Sequence, residues 1–567
     1  MNERLKREEK WWRNATVYQI YPRSFFDANG DGEGDLAGIT AKLDYIKSLG
    51  VDVVWSCPYF VSPKADNGYD VADYRDIDPA FGTMEQWREM VDGVHRRGMR
   101  FVMDFVGNHT SDDHPWFRQA CQSKDSPYHD YYIFKPGRAD GSEPSNWMSV
   151  FGGSMWEKNP ATDEYYLHTF AVKQPDLNWE NPKVVDEVVD IMRFWIELGV
   201  DGFRLDAINY LYKEPGYPDV EPLPGSKYGF ATEHYANKPR VHEHFNTLNR
   251  RVFSKYGAMT VAEVAYVDMD TARGYCGPDR QELDMLYPFD ILNVDQEGFD
   301  KFAPKPLDLP LLKSELARWQ TGLHNSGWLA LFMGNHDQCR AVSRFGDDGK
   351  YWKQSAKMLA NCFYMMQGTP YIFQGDEIGM TNVHYDSVDK FRDVEVYNTY
   401  REHVIEGGED PQKWLQLFCD RARDNGRTPM QWDDSKNAGF TTADEPWIEV
   451  VDNYPRINVA SQEKDPDSIL NFYRELIAKR KQWDVIAYGD FALLQPDSTE
   501  LFCYTRHCDG QDLLCANNFT DHEVSFDLPA AFTSENVTVL LQNYPDLALS
   551  GTVTLRPYEC FTLICGD

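Results

Sequence analysis

The chain has 567 residues, 42% hydrophobic and 14% aromatic, so it is a folded protein too long for one ordinary core. Its formal net charge of −33 excludes nucleic acid and anionic membrane surfaces as natural partners and leaves a neutral small-molecule substrate open. The opening MNERLKREEKWWRNATVYQI lacks the apolar core of a signal peptide, and no run of about eighteen apolar residues marks a membrane span. Eleven cysteines show no metal-ligand spacing, and Cys57, Cys339 and Cys362 sit in apolar runs; buried free thiols in a reducing cytoplasm are expected.

Strand-like runs begin with VYQIY from Val17. They continue through VDVVWS from Val51, RFVMDFV from Arg100, GFRLDA from Gly202, MTVAEV from Met259, GWLALFMGN from Gly327 and TPYIFQG from Thr369. Such unbroken apolar runs suit a parallel sheet buried on both faces. Between them lie helical patterns such as PKVVDEVVDIMRFWIELG and WKQSAKMLANCFYMMQG, several ending at glycine. Strand-then-helix units over so long a stretch predict an α/β fold built on a (β/α)8 TIM barrel.

Two regions break that rhythm. Residues 109–178 are rich in Gly, Pro, Trp and Tyr without a helix of usable length, which predicts an irregular domain inserted after the third strand. After about Val485 short alternating runs separated by turns predict a C-terminal antiparallel β domain of sandwich type. The expected organisation is a barrel over 1–108 and 179–485, the insertion over 109–178 and the β domain over 486–567.

Barrels carry their chemistry at the C-terminal strand ends. Here Asp104 closes the third run, with Asn108 and His109 beyond it; the fourth ends Arg204-Leu205-Asp206, the fifth at Glu263, and the seventh Asn335-His336-Asp337. Period-two alternation puts Arg204 and Asp206 on one face, where the cation can keep a nucleophilic carboxylate ionised. Glu263 lies between Ala262 and Val264; to carry a proton it needs a less polar site with a negative neighbour. Two carboxyl groups with opposed protonation are the machinery of glycoside hydrolysis. Early in the chain, Asp27, Asn29, Asp31, Glu33 and Asp35 set oxygen donors at alternate positions between glycines, a pattern like the start of an EF-hand loop that suits Ca²⁺.

The segments DFVGNHTS, GFRLDA, AEV and FMGNHD, in this order, resemble the four conserved segments of the α-amylase family, glycoside hydrolase family 13. DNGYDVADY from Asp66, QPDLNW from Gln174, GTPYIFQGDEIGM from Gly368 and RDNGRTPMQWD from Arg423 narrow the likeness to the oligo-1,6-glucosidase and α-glucosidase branch, from about Trp12 to the C-terminus. The resemblance implies that Asp206 is the nucleophile, Glu263 the general acid/base and Asp337 the third carboxylate, which binds ring hydroxyls. It implies that His109, Arg204 and His336 serve the first subsite, with Asp104 in support, and that Tyr69 and Phe170 are aromatic faces beside the same ring. Asp66 and Arg423 match a pair holding the 4-hydroxyl of a terminal glucose, so exo-action on short oligosaccharides or disaccharides is expected. Members carry a calcium loop at the early site, with Asp27, Asn29, Asp31 and Asp35 ligating through side chains and Glu33 through its carbonyl; the ion would be structural, and no organic cofactor is expected.

In this branch the residue after the nucleophile bears on linkage. Here it is Ala207, which leans toward α-1,4 or broad action rather than the α-1,6 preference that valine accompanies. Three rival readings remain: a sucrose isomerase or transglucosidase, against which Asp376 in QGDEIGM speaks; a trehalose-6-phosphate hydrolase; and a non-catalytic glycosidase-like binding protein. A monomer or weak homo-oligomer is expected.

Overall fold

The structure, a computed structural model, describes residues 10–298, 300–534 and 536–566. The first nine residues of the opening segment discussed above lie outside that range. Eight strands carry the α/β part: β1 (Val17–Ile20), β2 (Val53–Ser56), β3 (Arg100–Val106), β4 (Gly202–Asp206), β5 (Met259–Ala262), β6 (Met285–Leu286), β7 (Ala330–Leu331) and β8 (Thr369–Phe373). Their order in one sheet is β6-β5-β4-β3-β2-β1-β8-β7, a nearly closed (β/α)8 barrel. Every residue of β1, β2, β4, β5 and β8 is buried, as the apolar runs require of strands covered on both faces.

Two departures from the sequence reading have physical causes. β6 is only two residues long, too short to register as an apolar run. The nine-residue run from Gly327 yields a strand only at Ala330–Leu331, paired with Thr369 and Pro370 of β8. Pro370 has no N–H to offer, so the ladder stops there.

The chain divides into two compact units. One comprises residues 56–92 and 100–286 and holds β3 to β6, with parallel register from Val102↔Gly202 to Val106↔Asp206 and from Met259↔Gly202 to Ala262↔Leu205. Its helix Pro182–Glu197 shows why such segments form. Asn181 caps it by accepting from Lys183 N at 3.0 Å, and Pro182 occupies the first turn, where no N–H is missed. Val184, Val188, Ile191, Met192 and Trp195 recur at helical spacing and are buried, each contributing roughly 1.5–3 kcal/mol. The insertion is less irregular than its composition suggests. A short helix, Pro115–Ala120, precedes a three-stranded antiparallel sheet of Phe134–Lys135, Glu164–Leu167 and Trp156–Asn159, in that order.

The other unit comprises residues 1–55, 93–99 and 287–567. Its C-terminal part has β9 (Ala492–Leu494), β10 (Leu501–Cys508), β11 (Gln511–Asn518), β12 (Val524–Asp527), β13 (Thr538–Gln542), β14 (Thr552–Leu555) and β15 (Cys560–Cys565). A five-stranded antiparallel sheet, β9-β10-β11-β15-β13, faces the β12-β14 pair. Leu501, Leu514, Phe526, Val553, Leu555 and Leu563 fill the core between them. All eleven cysteines are free, and Cys57, Cys339 and Cys362 are buried. Among the described residues no helix is long and apolar enough to cross a membrane.

Candidate active site

In the first unit, β3, β4 and β5 bring their C-terminal carboxylates to one guanidinium. Arg204 Nη1 donates to Asp206 Oδ1 at 2.6 Å and to Asp104 Oδ1 at 3.0 Å, while Nη2 donates to Glu263 Oε2. Alternation along β4 puts Arg204 and Asp206 side by side, and the parallel register sets Asp104 directly across from Arg204. Arg204 is buried; Asp104, Glu263 and Asp206 outweigh that burial and hold its pKa well above the ordinary value. Burial pushes Asp104 up to about 7, with Asp206 adding to the rise and Arg204 opposing it. Tyr69 is buried too, and its hydroxyl donates to Asp104 Oδ2 at 3.1 Å. Glu263 stands one residue beyond β5, its side chain 24% exposed against 12% for Asp206. Arg204, a cation, is thus one charged neighbour of Glu263, and it also carries Asp206, the kind of negative group the sequence reading called for.

His109 follows β3 and is buried, with its ring 5.3 Å from Phe170. Burial lowers its pKa, Asp176 and Asp206 opposing, so it stands as a neutral hydrogen-bonding ring. Gln174 Nε2 lies 3.0 Å from His109 Nε2 and donates to Asp66 Oδ2 at 3.1 Å. Asp66 sits in a turn braced by Asp70, which accepts from Asp66 N at 2.9 Å, Ala65 N at 2.8 Å and Ser62 Oγ at 3.0 Å. Behind His109, Lys213 Nζ meets Asp176 Oδ2 at 2.5 Å and Asn108 Oδ1 at 3.0 Å, and Thr169 Oγ1 donates to Asp176 Oδ2 at 2.5 Å. Ala207 lies in the left-handed region, φ 48 and ψ 33, and packs with Trp147, Tyr210 and Tyr235.

In the second unit, Asp337 follows β7 by six residues and is gripped by a histidine and two arginines. His336 Nε2 lies 3.1 Å from its Oδ2; Arg427 Nη2 donates to Oδ1 at 2.7 Å and Arg423 Nη1 at 3.4 Å. Burial alone would raise Asp337, but His336, Arg427 and Arg423 hold it well below the usual carboxylate range. His336 is fixed by Gln19 Nε2, 2.9 Å from its Nδ1, and by the stacked ring of Tyr21 at 5.9 Å. Arg423 is oriented by Asp393, which takes Nε and Nη2 at 2.7 Å each, a bidentate fork.

The early acidic loop belongs to this unit. Asp27 accepts from Gly30 N at 2.6 Å, Gly32 N at 2.8 Å and Thr441 Oγ1 at 2.5 Å. Asn29 accepts from Asp31 N and Asp31 from Glu33 N, both at 2.9 Å, while Glu33 Oε1 pairs with Arg23 at 2.6 Å. Asp35 caps the helix Leu36–Ala41 through Gly38 N at 2.6 Å and takes Ala28 N and Asn29 N at 3.1 Å. Gly32, at φ 98, has no room for a Cβ, which would stand 2.7 Å from Glu445 O. Hard oxygen donors fit Ca²⁺ in kind, with the Glu33 side chain already committed to Arg23. Among the described residues no three His, Cys, Asp or Glu side chains form a metal-holding group.

Sequence reasoning thus found the residues at the strand ends but not those that brace them. Asp70, Gln174, Asp176, Lys213 and Asp393 act from loops and Arg427 from the short helix Asp424–Arg427, several of them more than 30 residues from their partners. Residues 19–489 match the model of the alpha amylase catalytic domain, and 491–562 that of the maltogenic amylase C-terminal domain. The chain is 51% identical to the oligo-1,6-glucosidase of Parageobacillus thermoglucosidasius, over 97% of this chain and 98% of that protein. It resembles the solved trehalose-6-phosphate hydrolase of Bacillus licheniformis (TM-score 0.93, 45% identity, 98% of this chain and 100% of that one). It also resembles the trehalulose synthase of Pseudomonas mesoacidophila MX-45 (TM-score 0.91, 38% identity, 98% and 99%).

Proposed function

The chain belongs to the α-amylase family of glycoside hydrolases, in the oligo-1,6-glucosidase branch, and from that premise we propose that it is a retaining, exo-acting α-glucosidase that releases glucose from the non-reducing end of short α-glucosides. The observation that carries the retaining chemistry is the shared guanidinium. Asp206 and Glu263 sit on the two terminal nitrogens of Arg204, consistent with the roughly 5 Å carboxyl separation of retaining enzymes. Asp206 attacks C1 as the C1–O bond breaks, and Glu263 gives its proton to the leaving oxygen. Glu263 then takes a proton from water, whose oxygen attacks C1 and frees Asp206 from the covalent β-glucosyl-enzyme. Because Arg204 holds Oε2, we assign the transferred proton to Oε1. Asp337, kept ionised by its cations, is suited to stabilising positive charge at the ring. The residues assigned to the terminal 4-hydroxyl are each braced within their own unit: Asp66 by Gln174 and the Asp70 turn, Arg423 by Asp393.

For linkage, Ala207 speaks for broad or α-1,4 action and the branch relative's name for α-1,6; we propose a broad enzyme taking both, with sucrose as a further substrate. Trehalose 6-phosphate is the second reading, favoured by the likeness to a trehalose-6-phosphate hydrolase. Against it, Arg204, Lys213, Arg423 and Arg427 already pair with carboxylates, while a phosphate dianion needs cations of its own. The test is a product profile over maltose, isomaltose, sucrose and trehalose 6-phosphate, followed by NMR. Glucose released first as the α-anomer supports the proposal. β-Glucose, a sucrose isomer as main product, or turnover of the phosphate alone defeats it. Treatment with 5-fluoro-α-glucosyl fluoride should add one sugar to the protein at Asp206, and a label elsewhere removes that assignment.

We place Ca²⁺ in the loop of residues 27–35, held by Asp27, Asn29, Asp31, the Glu33 carbonyl and Asp35 as a stabiliser outside the chemistry. Chelation should lower Tm by several degrees and leave turnover at low temperature nearly intact. An unmoved Tm with no calcium in the purified protein rejects the site. With all its thiols free, we place the protein in the cytoplasm.

A further inference from the structure

The unit of residues 56–92 and 100–286 holds a cavity of about 260 Å³ that the strand-end acids do not line. One wall is residues 129–135 of the insertion and the other is residues 211–217 of the loop after β4. Asn178, Trp179 and Glu180 close the space between them. At roughly 30 Å³ of liquid per molecule it has room for about eight waters, or for one six-membered sugar ring. The walls are fixed. Phe134 stacks on His129 with ring centroids 4.4 Å apart, and Tyr217 is wedged against Trp147 at 5.5 Å and Trp156 at 5.1 Å.

Three buried lining residues tie the cavity to the segment that carries His109. Trp179 Nε1 donates to Gly107 O at 2.9 Å, Lys213 Nζ donates to Asn108 Oδ1 at 3.0 Å, and the hydroxyls of Tyr132 and Thr110 share a bond of 2.8 Å. The bonds that hold the chain on both sides of His109 therefore also keep the cavity open. Its polar groups suit a neutral ligand. Asp130 gives its carbonyl to Asn178 Nδ2 and Asn181 Nδ2, both at 3.1 Å, and the residue is exposed. Lys135 Nζ stands 5.4 Å over the Tyr217 ring. Glu180 is taken by Arg240, Lys213 by Asp176 and His129 by Glu164. One acid and one ammonium are left to a ligand, so a phosphate dianion would meet Asp130 with a single cation in return.

We propose that this cavity is a second, non-catalytic binding site for a neutral pyranose such as glucose. Tyr212 and Tyr217, both half-buried, offer ring faces to the C–H side of the sugar. Asp130 accepts from its hydroxyls and Lys135 donates to them. The inference goes beyond the α-glucosidase reading and stands apart from it, because this lining and not the strand-end acids selects the ligand.

The test is amide hydrogen exchange on the whole chain with glucose and, separately, with inorganic phosphate. Glucose should slow exchange in residues 129–135 and 211–217 about threefold or more, and phosphate should leave both segments unchanged. In Asp130→Asn and in Tyr212→Ala the same protection should need about tenfold more glucose, with the sugar-free exchange pattern as in wild type. Arg423→Ala, which damages the first subsite instead, should keep the protection. The site is overturned by no protection, by protection from phosphate alone, by protection undiminished in both cavity variants, or by its loss in Arg423→Ala. A chain that binds glucose here yet hydrolyses no α-glucoside leaves this site standing and defeats the glucosidase reading.

Discussion

Two arginine-centred clusters hold carboxylates in opposite balance. Around Arg204, one cation serves Asp104, Asp206 and Glu263. Around Asp337, Arg427, Arg423 and His336 all bear on one carboxylate, with Asp393 drawing off part of Arg423. The first cluster is short of positive charge, so a proton can be accommodated on one of its acids and a developing cation is welcome. The second is rich in it and keeps its acid permanently charged. The lesson is that carboxyl groups of one chemical type are set to different work by the count of cations around each cluster.

The largest expected effect comes from breaking the poor cluster. Arg204→Lys keeps the charge but loses the fork that reaches three acids at once. We expect kcat/KM on disaccharides to fall about 10²–10³-fold and Tm to drop, since carboxylates left half-paired in a buried site are costly. A variant retaining a third of wild-type activity would show that charge alone suffices. A smaller effect sharpens the contrast through pH. Asp104 has its folded pKa raised to about 7, so the folded chain keeps a proton that the unfolded chain releases near pH 4; stability falls as pH climbs between these values and then levels. Asp337 has its folded pKa depressed, so its contribution is present above about pH 4 and is lost as pH falls below it. Melting curves across pH should therefore flatten on the neutral side in Asp104→Asn and on the acid side in Asp337→Asn. Curves for both variants that run parallel to wild type would mean the two clusters do not differ in this way.

The barrel and the residues at its strand ends were legible because both follow from periods: two along β4, where Arg204 and Asp206 share a face, and strand-then-helix along the chain. The charge beside Glu263 was not, because Arg204 lies 59 positions away and nothing near Glu263 in the chain announces a cation. Nor were the left-handed turns at Ala207 and Tyr266, since no glycine or asparagine stands there to signal them. β6 escaped detection because it is only two residues long, and β7 is shorter than the apolar run that announced it, because Pro370 ends the pairing where burial continues.

The ion pair of Lys213 with Asp176 bears on how the chain acquires its shape. Asp176 lies in the insertion, Lys213 in the loop after β4, and Asn108, bonded to both, directly after β3. Until β4 has joined β3, the insertion carries an acid near its centre with no cation to receive it, and burying it that way is prohibitive. A fragment of residues 109–178 lacks the cation that pairs with this buried acid, so we expect it not to fold on its own. In the whole chain we expect the insertion's order to follow a pairing that spans about a hundred residues, and limited proteolysis during refolding should cut within 109–178 before it cuts the barrel strands; simultaneous protection of both would reject this.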